Sequence, residues 1–520
     1  MYSQVKSGTL YGLASESVIV ETDLSAGLPA FNVVGLPDAT VRESKERIRA
    51  AIVNSGFKFP AKRITINLAP AGTKKEGTHF DLPIAIGVMT SVGIIKRDRT
   101  REFAFLGELS LDGRVNRING ALPLVIGLRN QGVRKVILPA ANAEEASAID
   151  DVALFPVRSL REIAEYFSSA AEISPYQKSW NDAVVQSGEL PDFSEVAGQE
   201  SVKRALQIAA AASHNVLMIG PPGAGKTMMA KRVAGILPAM TYDEKLEVTK
   251  IYSIAGELDI SRPMVSDRPF RSPHHTISAA ALIGGGSSPK PGEVSLAHFG
   301  VLFLDELPEF NRYVLEMLRQ PLEDERVTIS RIRGTTAFPS KFMLLASMNP
   351  CPCGYYGDHT HECSCGQHQI RNYLSKISGP LLDRIDMHIE IMPVKYRELA
   401  DLECPENGAP AGQAVRNSEV MRLEVEAARQ IQLDRYKNEE ISYNSQLTPG
   451  MMKRYCALDK ETKNLMEKAF RQLSLSARAH HRIIKVGRTI ADMEGAECIG
   501  VRHIAEAIQY RSLDKMYRGL

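Results

Sequence analysis

A glycine-rich segment between a strand-like run and a helical run constrains this chain more than any other feature. Residues 220–227 read Gly-Pro-Pro-Gly-Ala-Gly-Lys-Thr, which fits a glycine, four variable residues and then Gly-Lys-Ser/Thr. The apolar run 215–219 precedes the segment, and residues 228–233 continue it with a helical pattern. In this order, backbone N–H groups and a helix N-terminus converge on phosphate oxygens. The sequence therefore predicts a phosphate-binding P-loop formed by Gly220, Pro221, Pro222, Gly223, Ala224, Gly225, Lys226 and Thr227.

A second apolar run ends in two acids and supplies the element that a P-loop requires as its partner. Val301–Leu304 is typical of a strand buried on both faces of a parallel sheet, and Asp305 and Glu306 follow it directly. We expect Lys226 to neutralise the β and γ phosphates, and Thr227 and Asp305 to hold Mg²⁺. Glu306 can orient or deprotonate the attacking water. The two motifs predict hydrolysis of a nucleoside triphosphate; a ligand-free glycine turn and a solvated strand end are the alternatives.

Four further segments resemble motifs of AAA+ ATPases. Residues 192–200 are similar to the segment that covers the adenine base. Residues 342–349 resemble the sensor-1 strand, whose terminal Asn349 positions water against the γ-phosphate. Residues 378–386 resemble the arginine-finger segment of magnesium chelatase and of the minichromosome-maintenance helicases, and residues 476–478 resemble their sensor-2 motif.

Two arginines in these segments are candidates for catalysis. The resemblance implies that Arg384 is an arginine finger, whose guanidinium stabilises charge on the phosphoryl group of a neighbour's nucleotide. A surface salt bridge at a helix end is the alternative. Arg478 occupies the sensor-2 position, and the sequence leaves open whether it acts within its own subunit or across an interface. A finger that acts in trans requires a ring, so the implied assembly is a homohexamer.

The resemblance narrows to the YifB/ComM family of magnesium chelatase-like AAA+ ATPases and spans nearly the whole chain, including residues 32–37, 291–297 and 488–492. It implies an α/β fold: an AAA+ P-loop ATPase core with a helical lid, preceded by an α+β domain like that of Lon protease, of the ribosomal S5 domain 2 type. It also implies ATP and Mg²⁺ as cofactors. The implied activity is that of a hexameric helicase or branch-migration motor on single-stranded or branched DNA, acting on recombination intermediates in natural transformation. A chelatase-like ATPase that remodels a protein partner, without nucleic acid, is the alternative.

Pattern and composition divide the 520 residues into three folded parts. Strand-like and helical stretches alternate over residues 1–170 and predict the α+β domain, and the polar stretch 171–191 predicts a linker. The ATPase core is expected over 192–395, an exposed loop rich in proline and glycine over 396–414, and a wholly helical lid over 415–520.

The N-terminal domain lacks the residues that a Lon-type peptidase needs. Residues 104–146 resemble the proteolytic domain of Lon, in which a lysine amine activates a nucleophilic serine. The alignment puts His79 at the serine position and Leu122 at the lysine position. Neither side chain can perform the chemistry. We therefore expect a Lon-like fold without peptidase activity that serves docking or ring assembly.

Four of the seven cysteines lie within fifteen residues of one another, directly after Asn349. Four thiolates from two short turns can form a closed tetrahedral site for a structural Zn²⁺ ion. Free buried cysteines are the alternative, and His361 or His368 could replace one thiolate. A metal bound here would stabilise the conformation of the sensor-1 loop. The candidate ligands are Cys351, Cys353, Cys363 and Cys365.

The net charge of +2 excludes a uniformly basic surface, so any nucleic-acid contact must come from local patches. A β-hairpin is predicted over 327–338 with Arg331 and Arg333 near its tip, and a glycine-rich loop ends at Lys290. In the resembling helicases, insertions at these two positions line a central pore and contact the DNA backbone. We therefore predict phosphate contacts at these residues. A solvated charged hairpin is the alternative.

Targeting signals and long apolar segments are not evident in the sequence. The longest apolar stretch, Leu82–Ile95, is interrupted by Pro83 and is too short to cross a bilayer. Residues 1–10 lack the pattern of an export signal, and the crowded cysteines indicate a reducing compartment. We expect a cytoplasmic multidomain protein with no membrane partner.

Overall fold

The computed structural model describes residues 1–177, 190–259, 262–286, 289–331, 334–357, 361–393, 417–473 and 475–511. Most of the predicted linker, the whole predicted loop 396–414 and the candidate DNA-contacting residue Arg333 lie outside these ranges. The described residues form an α+β domain, a P-loop core with a parallel sheet, and a helical lid. The predicted fold class is confirmed.

The N-terminal domain contains nine strands and six α-helices among the described residues. Its strands are β1 (Tyr2–Tyr11), β2 (Ala14–Ser25), β3 (Ala30–Val34), β4 (Arg63–Ala69), β5 (Phe103–Phe105), β6 (Glu108–Leu109), β7 (Val115–Asn116), β8 (Lys135–Pro139) and β9 (Ala153–Val157). Its helices are α1 (Ala39–Asn54), α2 (Asp81–Ser91), α3 (Arg97–Thr100), α4 (Ala121–Asn130), α5 (Ala143–Ala146) and α6 (Leu160–Ser168), with 3₁₀ turns at Thr78–Phe80 and Ala140–Asn142.

A seven-stranded sheet in the order β3-β4-β2-β1-β5-β8-β9 forms the centre of this domain. Along β4, Ile64, Ile66 and Leu68 are buried while the residues between them are not, which is the period of two that the sequence predicts. Every residue of α2 is buried, because the helix is apolar on all sides and packs against β1 and β2. The core of the domain lies between this helix and the sheet.

The ATPase core is built around short strands and helices. Its helices are α7 (Glu200–Ala212), α8 (Lys226–Ile236), α9 (Tyr242–Ala255), α10 (Ala279–Ile283), α11 (Glu293–Leu296), α12 (Arg312–Met317), α13 (Pro321–Asp324), α14 (Gln367–Leu374) and α15 (Gly379–Leu382), with 3₁₀ turns at Phe193–Glu195 and Leu307–Glu309. Its strands are β10 (Val216–Ile219), β11 (Phe270–Arg271), β12 (Gly284–Gly285), β13 (Lys290–Pro291), β14 (Val301–Leu304), β15 (Arg326–Arg331), β16 (Gly334–Pro339), β17 (Met343–Met348) and β18 (Met387–Glu390).

Five of these strands form a parallel sheet in the order β11-β14-β17-β10-β18. All residues of β10, β14 and β17 are buried, as expected for parallel strands that are covered on both faces. The segments that follow the carboxyl ends of β10, β14 and β17 therefore meet at one edge of the sheet. These segments are the P-loop, the Asp305–Glu306 pair and Asn349.

The lid consists of helices that pack on the core. They are α16 (Ser418–Tyr436), α17 (Pro449–Tyr455), α18 (Lys460–Gln472), α19 (Ala477–Met493) and α20 (Val501–Gln509), with a 3₁₀ turn at Asn444–Gln446. The carboxylate of Asp492 is buried and paired with Arg435 at 2.8 Å and Arg488 at 2.9 Å, so replacing Asp492 would leave the buried Arg488 guanidinium without a counter-charge, at a cost of about 3–5 kcal/mol. Across the described part of the chain, none of the helices has the length and apolar character that a membrane span needs.

The N-terminal domain contacts two insertions of the core. The hydroxyl of Ser253 in α9 donates to the buried carboxylate of Glu145, and the Arg117 guanidinium donates to the Leu258 carbonyl at 2.9 Å. The Tyr11 hydroxyl donates to the Thr335 carbonyl at 2.8 Å, at the hairpin formed by β15 and β16. The domain is thus joined to both the helical insertion and the hairpin insertion of the core.

The two positions aligned with the Lon dyad serve packing. The His79 ring is buried, and its Nε2 lies 2.9 Å from the Gly8 carbonyl oxygen. The Leu122 side chain is also buried, and its backbone N–H donates to Glu145 at 3.2 Å. Burial lowers the pKa of His79 to about 4, so the ring is neutral near pH 7.

His79 should make the stability of the N-terminal domain depend on pH. An unfolded histidine takes up a proton near pH 6.5, whereas folded His79 does so only near pH 4, so the unfolded state binds more protons between these values. Acidification from pH 7 to pH 4 should therefore destabilise the domain by up to roughly 3 kcal/mol through this residue. His79→Gln keeps a donor for the Gly8 carbonyl and should remove this dependence.

Hydrogen exchange of peptides from β1 and β2, measured at pH 7.0 and 4.5 in both proteins, checks the difference. Asp81, whose pKa burial raises to about 6, contributes the opposite slope but is present in both proteins and cancels. Equal loss of protection on acidification in the two proteins would contradict the assignment.

Candidate active site

The P-loop has the backbone geometry that phosphate binding needs. Gly223 and Gly225 have φ of +79° and +84°, in the left-handed region that favours glycine. A Cβ atom added at either residue would meet no atom within 4 Å, so the space above the loop is open. No side chain caps the N-terminus of α8, which begins at Lys226. The loop therefore presents backbone N–H groups and the positive end of a helix to that open space.

The Lys226 ammonium group connects the P-loop to the predicted sensor-1 residue. It donates to the carbonyls of Gly220 at 2.7 Å and Pro221 at 2.8 Å, and to Asn349 Oδ1 at 3.0 Å. Burial lowers the pKa of Lys226, so any additional negative charge placed beside the amine would stabilise its protonated form. A triphosphate bound at the loop supplies that charge. The contact with Asn349 brings together two residues that are 123 positions apart in the chain.

The predicted magnesium ligands contact each other. The Thr227 hydroxyl donates to Asp305 Oδ2 at 2.6 Å, and the Ser347 hydroxyl donates to Asp305 Oδ1. A hydroxyl and a carboxylate are the hard oxygen ligands that Mg²⁺ prefers, so this donor set fits the ion. Ser347 was not predicted from the sequence. Its signal was its place in β17, two residues before Asn349, which directly follows the strand; alternate residues of an extended chain share a face.

Glu306 lies beside this pair with an exposed carboxylate. Its φ is +52°, an uncommon value for a residue with a side chain, and the side chain is 60% exposed. His275 Nδ1 is 3.8 Å from Glu306 Oε2. Residues 272–276 follow β11 and reach the edge of the sheet where Glu306 lies, so His275 is a site residue that was not predicted from the sequence.

The two candidate catalytic arginines lie elsewhere. Arg384 precedes β18, and its backbone carbonyl accepts from the Asn215 side chain at 3.2 Å, next to the start of β10. The P-loop begins after the end of β10, four residues or about 13 Å further along the strand direction. Arg384 is therefore at the amino edge of the sheet, opposite its own P-loop.

Arg478 shares the surroundings of Arg384. Both line a cavity of about 170 Å³, together with lid residues that include His481 and Arg482. Arg384 forms an ion pair with Glu323, which is the salt bridge considered as the alternative role, and Arg478 Nη1 lies 3.9 Å from Asp383 Oδ2. The Arg478 side chain is 59% exposed. The Arg384 side chain is only 12% exposed, with its guanidinium donating to Glu323 and to the Pro380 carbonyl.

The four cysteines of the predicted metal site converge. Their Sγ atoms all lie within 4.8 Å of one another, and no histidine joins the group among the described residues. Three separations are 3.3 Å (Cys351–Cys353), 3.7 Å (Cys351–Cys363) and 3.5 Å (Cys353–Cys363). Sulfurs around a tetrahedral Zn²⁺ with bonds of 2.3 Å would be about 3.8 Å apart. The cluster therefore fits a four-thiolate metal site, and its separations are too long for disulfides.

The predicted DNA-contacting residues lie on hairpins of the core. Lys290 is exposed in β13, which pairs with β12. Arg331 is the last residue of β15 and pairs with Gly334 of β16. The hairpin predicted from the sequence is present, and Arg333 lies outside the described residues.

The parallel sheet carries the P-loop after one strand and an acid pair after another, and a helical lid packs on it. This is the arrangement of AAA+ ATPases, the class to which the chain belongs. One family model, described as magnesium chelatase, subunit ChlI, matches residues 192–399. A second, described as subunit ChlI of Mg-chelatase, matches residues 20–142. A third, for the C-terminal part of that subunit, matches residues 415–511. ATP and Mg²⁺ are the cofactors of this class.

Comparison with individual similar proteins identifies the family within this class. The chain is 41% identical over 519 residues to competence protein ComM of Haemophilus influenzae, covering 99% of this chain and 98% of the relative. It is 38% identical over 515 residues to a protein named YifB of Escherichia coli, with the same coverage. Lon protease 2 of Bacillus subtilis is 32% identical over 145 residues, 26% of each chain. The chain belongs to the YifB/ComM family of magnesium chelatase-like AAA+ ATPases.

Glu306→Gln should retain nucleotide binding and lose turnover. The amide cannot take a proton from water, and loss of a general base costs 10²–10⁴-fold in rate. The binding contacts of Lys226 and Thr227 remain, so the Kd for ATP should change less than about threefold. ATPase rates and fluorescent-nucleotide titrations measure the two quantities.

The matched control for this variant is Glu309→Gln. Glu309 is in the adjacent 3₁₀ turn and is half exposed, with Lys376 as its partner at 3.4 Å. It should keep its ATPase rate within about twofold. A Glu306→Gln protein that still hydrolyses ATP at a tenth of the parent rate or faster would rule out Glu306 as the base.

Proposed function

We propose that this chain is an ATP-driven ring motor, assembled as a homohexamer, in which each nucleotide pocket is completed by the neighbouring subunit. The observation that carries this proposal is the position of Arg384 at the amino edge of the core sheet, opposite its own P-loop. An arginine finger must contact the transferred phosphoryl group, and Arg384 can do so only on another subunit's nucleotide. Because Arg478 lines the same cavity, we assign it to the same interface.

The roles within one pocket follow from the contacts. Lys226 and the P-loop N–H groups bind the phosphates, and Thr227 and Asp305 hold Mg²⁺. Bound Mg²⁺ neutralises charge on the phosphate oxygens. Glu306 accepts a proton from the attacking water, and Asn349 orients that water. Arg384 from the neighbour then stabilises the developing charge, so hydrolysis depends on contact between subunits.

The polymer on which the motor acts is DNA, single-stranded or branched, and the reaction is branch migration of recombination intermediates of the helicase type. The support is the relative named as a competence protein, which the chain matches over 98% of its length, and the placement of Lys290 and Arg331 on two hairpins of the core. Cationic side chains on hairpins suit phosphate contacts, which hold a nucleic acid without reading its sequence. We assign the protein a role in natural transformation on the same basis, in the cytoplasm.

The cysteine cluster holds a structural Zn²⁺ ion in this proposal. The ligands are Cys351, Cys353, Cys363 and Cys365, whose sulfur separations are close to those of a tetrahedral thiolate site. With four protein ligands the ion has no open position, so it stabilises structure and takes no part in the reaction.

A mixing experiment tests the shared pocket. Arg384→Ala and Glu306→Gln should each lose turnover by at least about 100-fold. In a mixed ring, an Arg384→Ala pocket beside a Glu306→Gln neighbour contains both an intact glutamate and an intact finger. Random mixing creates such pockets at about a quarter of the interfaces, so an equimolar mixture should regain ATPase activity.

The control mixes Glu306→Gln with Lys226→Ala. Both defects then lie in the pocket of the subunit that carries them, so no arrangement restores a complete pocket, and the mixture should stay inactive. Activity in neither mixture would show that Arg384 does not act across an interface.

Forked DNA should raise the ATPase rate several-fold at about 50 mM salt, and the effect should decline steeply by about 200 mM, because phosphate contacts release counterions. Lys290→Ala should weaken this stimulation. Lys62→Ala, which changes an exposed lysine of the N-terminal domain, should leave the stimulation unchanged.

Strand displacement on three-strand branched DNA, with ATP or a non-hydrolysable analogue, measures the motor activity directly. An ATPase rate that ignores DNA at low salt but responds to a protein partner would favour a remodelling ATPase.

A further inference from the structure

The turn that follows the second cysteine packs directly on the P-loop. Gly354 has φ of +91°, and its N–H donates to the Cys351 carbonyl at 3.0 Å, which closes the turn. A Cβ atom added at Gly354 would lie 2.5 Å from Cδ and 3.2 Å from Cγ of Pro222. No real Cβ atom approaches another heavy atom so closely. The cysteine turn and the P-loop are therefore in contact through a glycine that leaves no room for a side chain.

The same segment is tied to the nucleotide site at its beginning. Cys351 is fully buried and comes two residues after Asn349, whose side chain accepts from Lys226. Tyr373, in the helix α14 that follows the cysteines, belongs to the same apolar cluster as Cys351. The cysteine segment thus lies between the sensor-1 residue and α14, with the P-loop against one side.

The segment that carries the cysteines contains little regular structure. The described residues between β17 and α14 include no helix and no strand. Cys351 is buried in the apolar core, and Cys353, Cys363 and Cys365 are only partly buried and pack against it. In segments of this kind, metal binding supplies the free energy of folding. A metal would add four strong bonds to the weak contacts of the sulfurs, among them the Cys353 N–H donating to Cys365 Sγ at 3.4 Å, and so would hold the turn against Pro222.

We infer that the metal of the four-cysteine cluster controls the nucleotide pocket: Zn²⁺ bound there holds the turn at Gly354 against Pro222 and fixes Asn349, and so sets the affinity for ATP. This inference rests on the proposed zinc site. In this inference, the bound Zn²⁺ changes the affinity of the ATPase for ATP through the contact between Gly354 and Pro222. The cluster belongs to the same edge of the sheet as the P-loop, so the effect needs no long-range transmission.

The test uses the full-length protein and reads zinc and nucleotide separately. Zinc per chain is measured by elemental analysis, and the Kd of a fluorescent ATP analogue is measured in excess Mg²⁺. A zinc-selective chelator then removes the metal, and Zn²⁺ is added back. We expect one zinc per chain, a Kd at least tenfold higher after removal, and recovery on re-addition. Far-UV circular dichroism, recorded at each step, monitors the fold of the chain.

Two variants make the result independent of any unfolding caused by the chelator. Gly354→Ala keeps all four thiols, so it should retain one zinc per chain while its Kd for ATP rises at least fivefold, because the new methyl group collides with Pro222. Cys363→Ser should lose zinc and weaken nucleotide binding together. Cys498→Ser changes an exposed cysteine outside the cluster and should match the parent in both measurements.

The outcomes separate the inference from the proposals beneath it. One zinc per chain, with a Kd for ATP that stays within twofold on removal and in Gly354→Ala, would overturn this inference and leave the zinc site standing. Absence of bound zinc in the parent protein would overturn both. A protein that binds no ATP with or without zinc would refute the proposed ATPase itself, and with it any control of its affinity.

Discussion

The hydrogen bond between the Thr227 hydroxyl and the Asp305 carboxylate joins the two halves of the nucleotide site, and it depends on the parallel alignment of β10, β14 and β17. Parallel strands deliver their carboxyl ends to one edge, so three segments distant in sequence meet there without any long side chain having to bridge them. The same alignment brings Asn349 within 3.0 Å of the Lys226 amine. The cost of burying the amine is met by these acceptors and by bound phosphate.

Much of this edge could be predicted from the sequence, because its signals are local. The P-loop and the run before Asp305 each carry their pattern within eight residues, and the rule for parallel strands then places them together. Contacts set by tertiary packing were missed: Ser347 on Asp305, His275 beside Glu306, and Gly354 against Pro222. Ser347 left one signal, its place two residues before Asn349. The contacts of His275 and Gly354 leave no spacing in the sequence, since each joins residues whose separation depends on how insertions fold.

The N-terminal domain uses the two positions that the sequence alignment matches with the Lon dyad for packing. His79 and Leu122 are both buried, and the Leu122 backbone donates to Glu145. Glu145 in turn accepts from Ser253 in the core helix α9. The buried carboxylate of Glu145 therefore links the N-terminal domain to the ATPase core, and it accepts hydrogen bonds from both. Leu122 and Asn142 donate to it from its own domain, so the bond from Ser253 adds a polar contact that favours this docking.

The length of its strands separates the two edges of the core sheet. At the carboxyl edge lie the groups proposed to bind phosphate and metal and to activate water. At the amino edge lies Arg384, about 13 Å away along the strand direction, and Arg478 lines the same cavity as Arg384. In the proposed ring, an isolated subunit would bind nucleotide through Lys226 and Mg²⁺ but would lack the additional cation that a neighbour's Arg384 supplies to the transferred phosphoryl group. In the free subunit Glu323 and Asp383 lie close to these arginines, and a neighbour's phosphates must compete with both acids. Those acids would restrain each arginine until an interface forms, which couples hydrolysis to ring closure through charge alone.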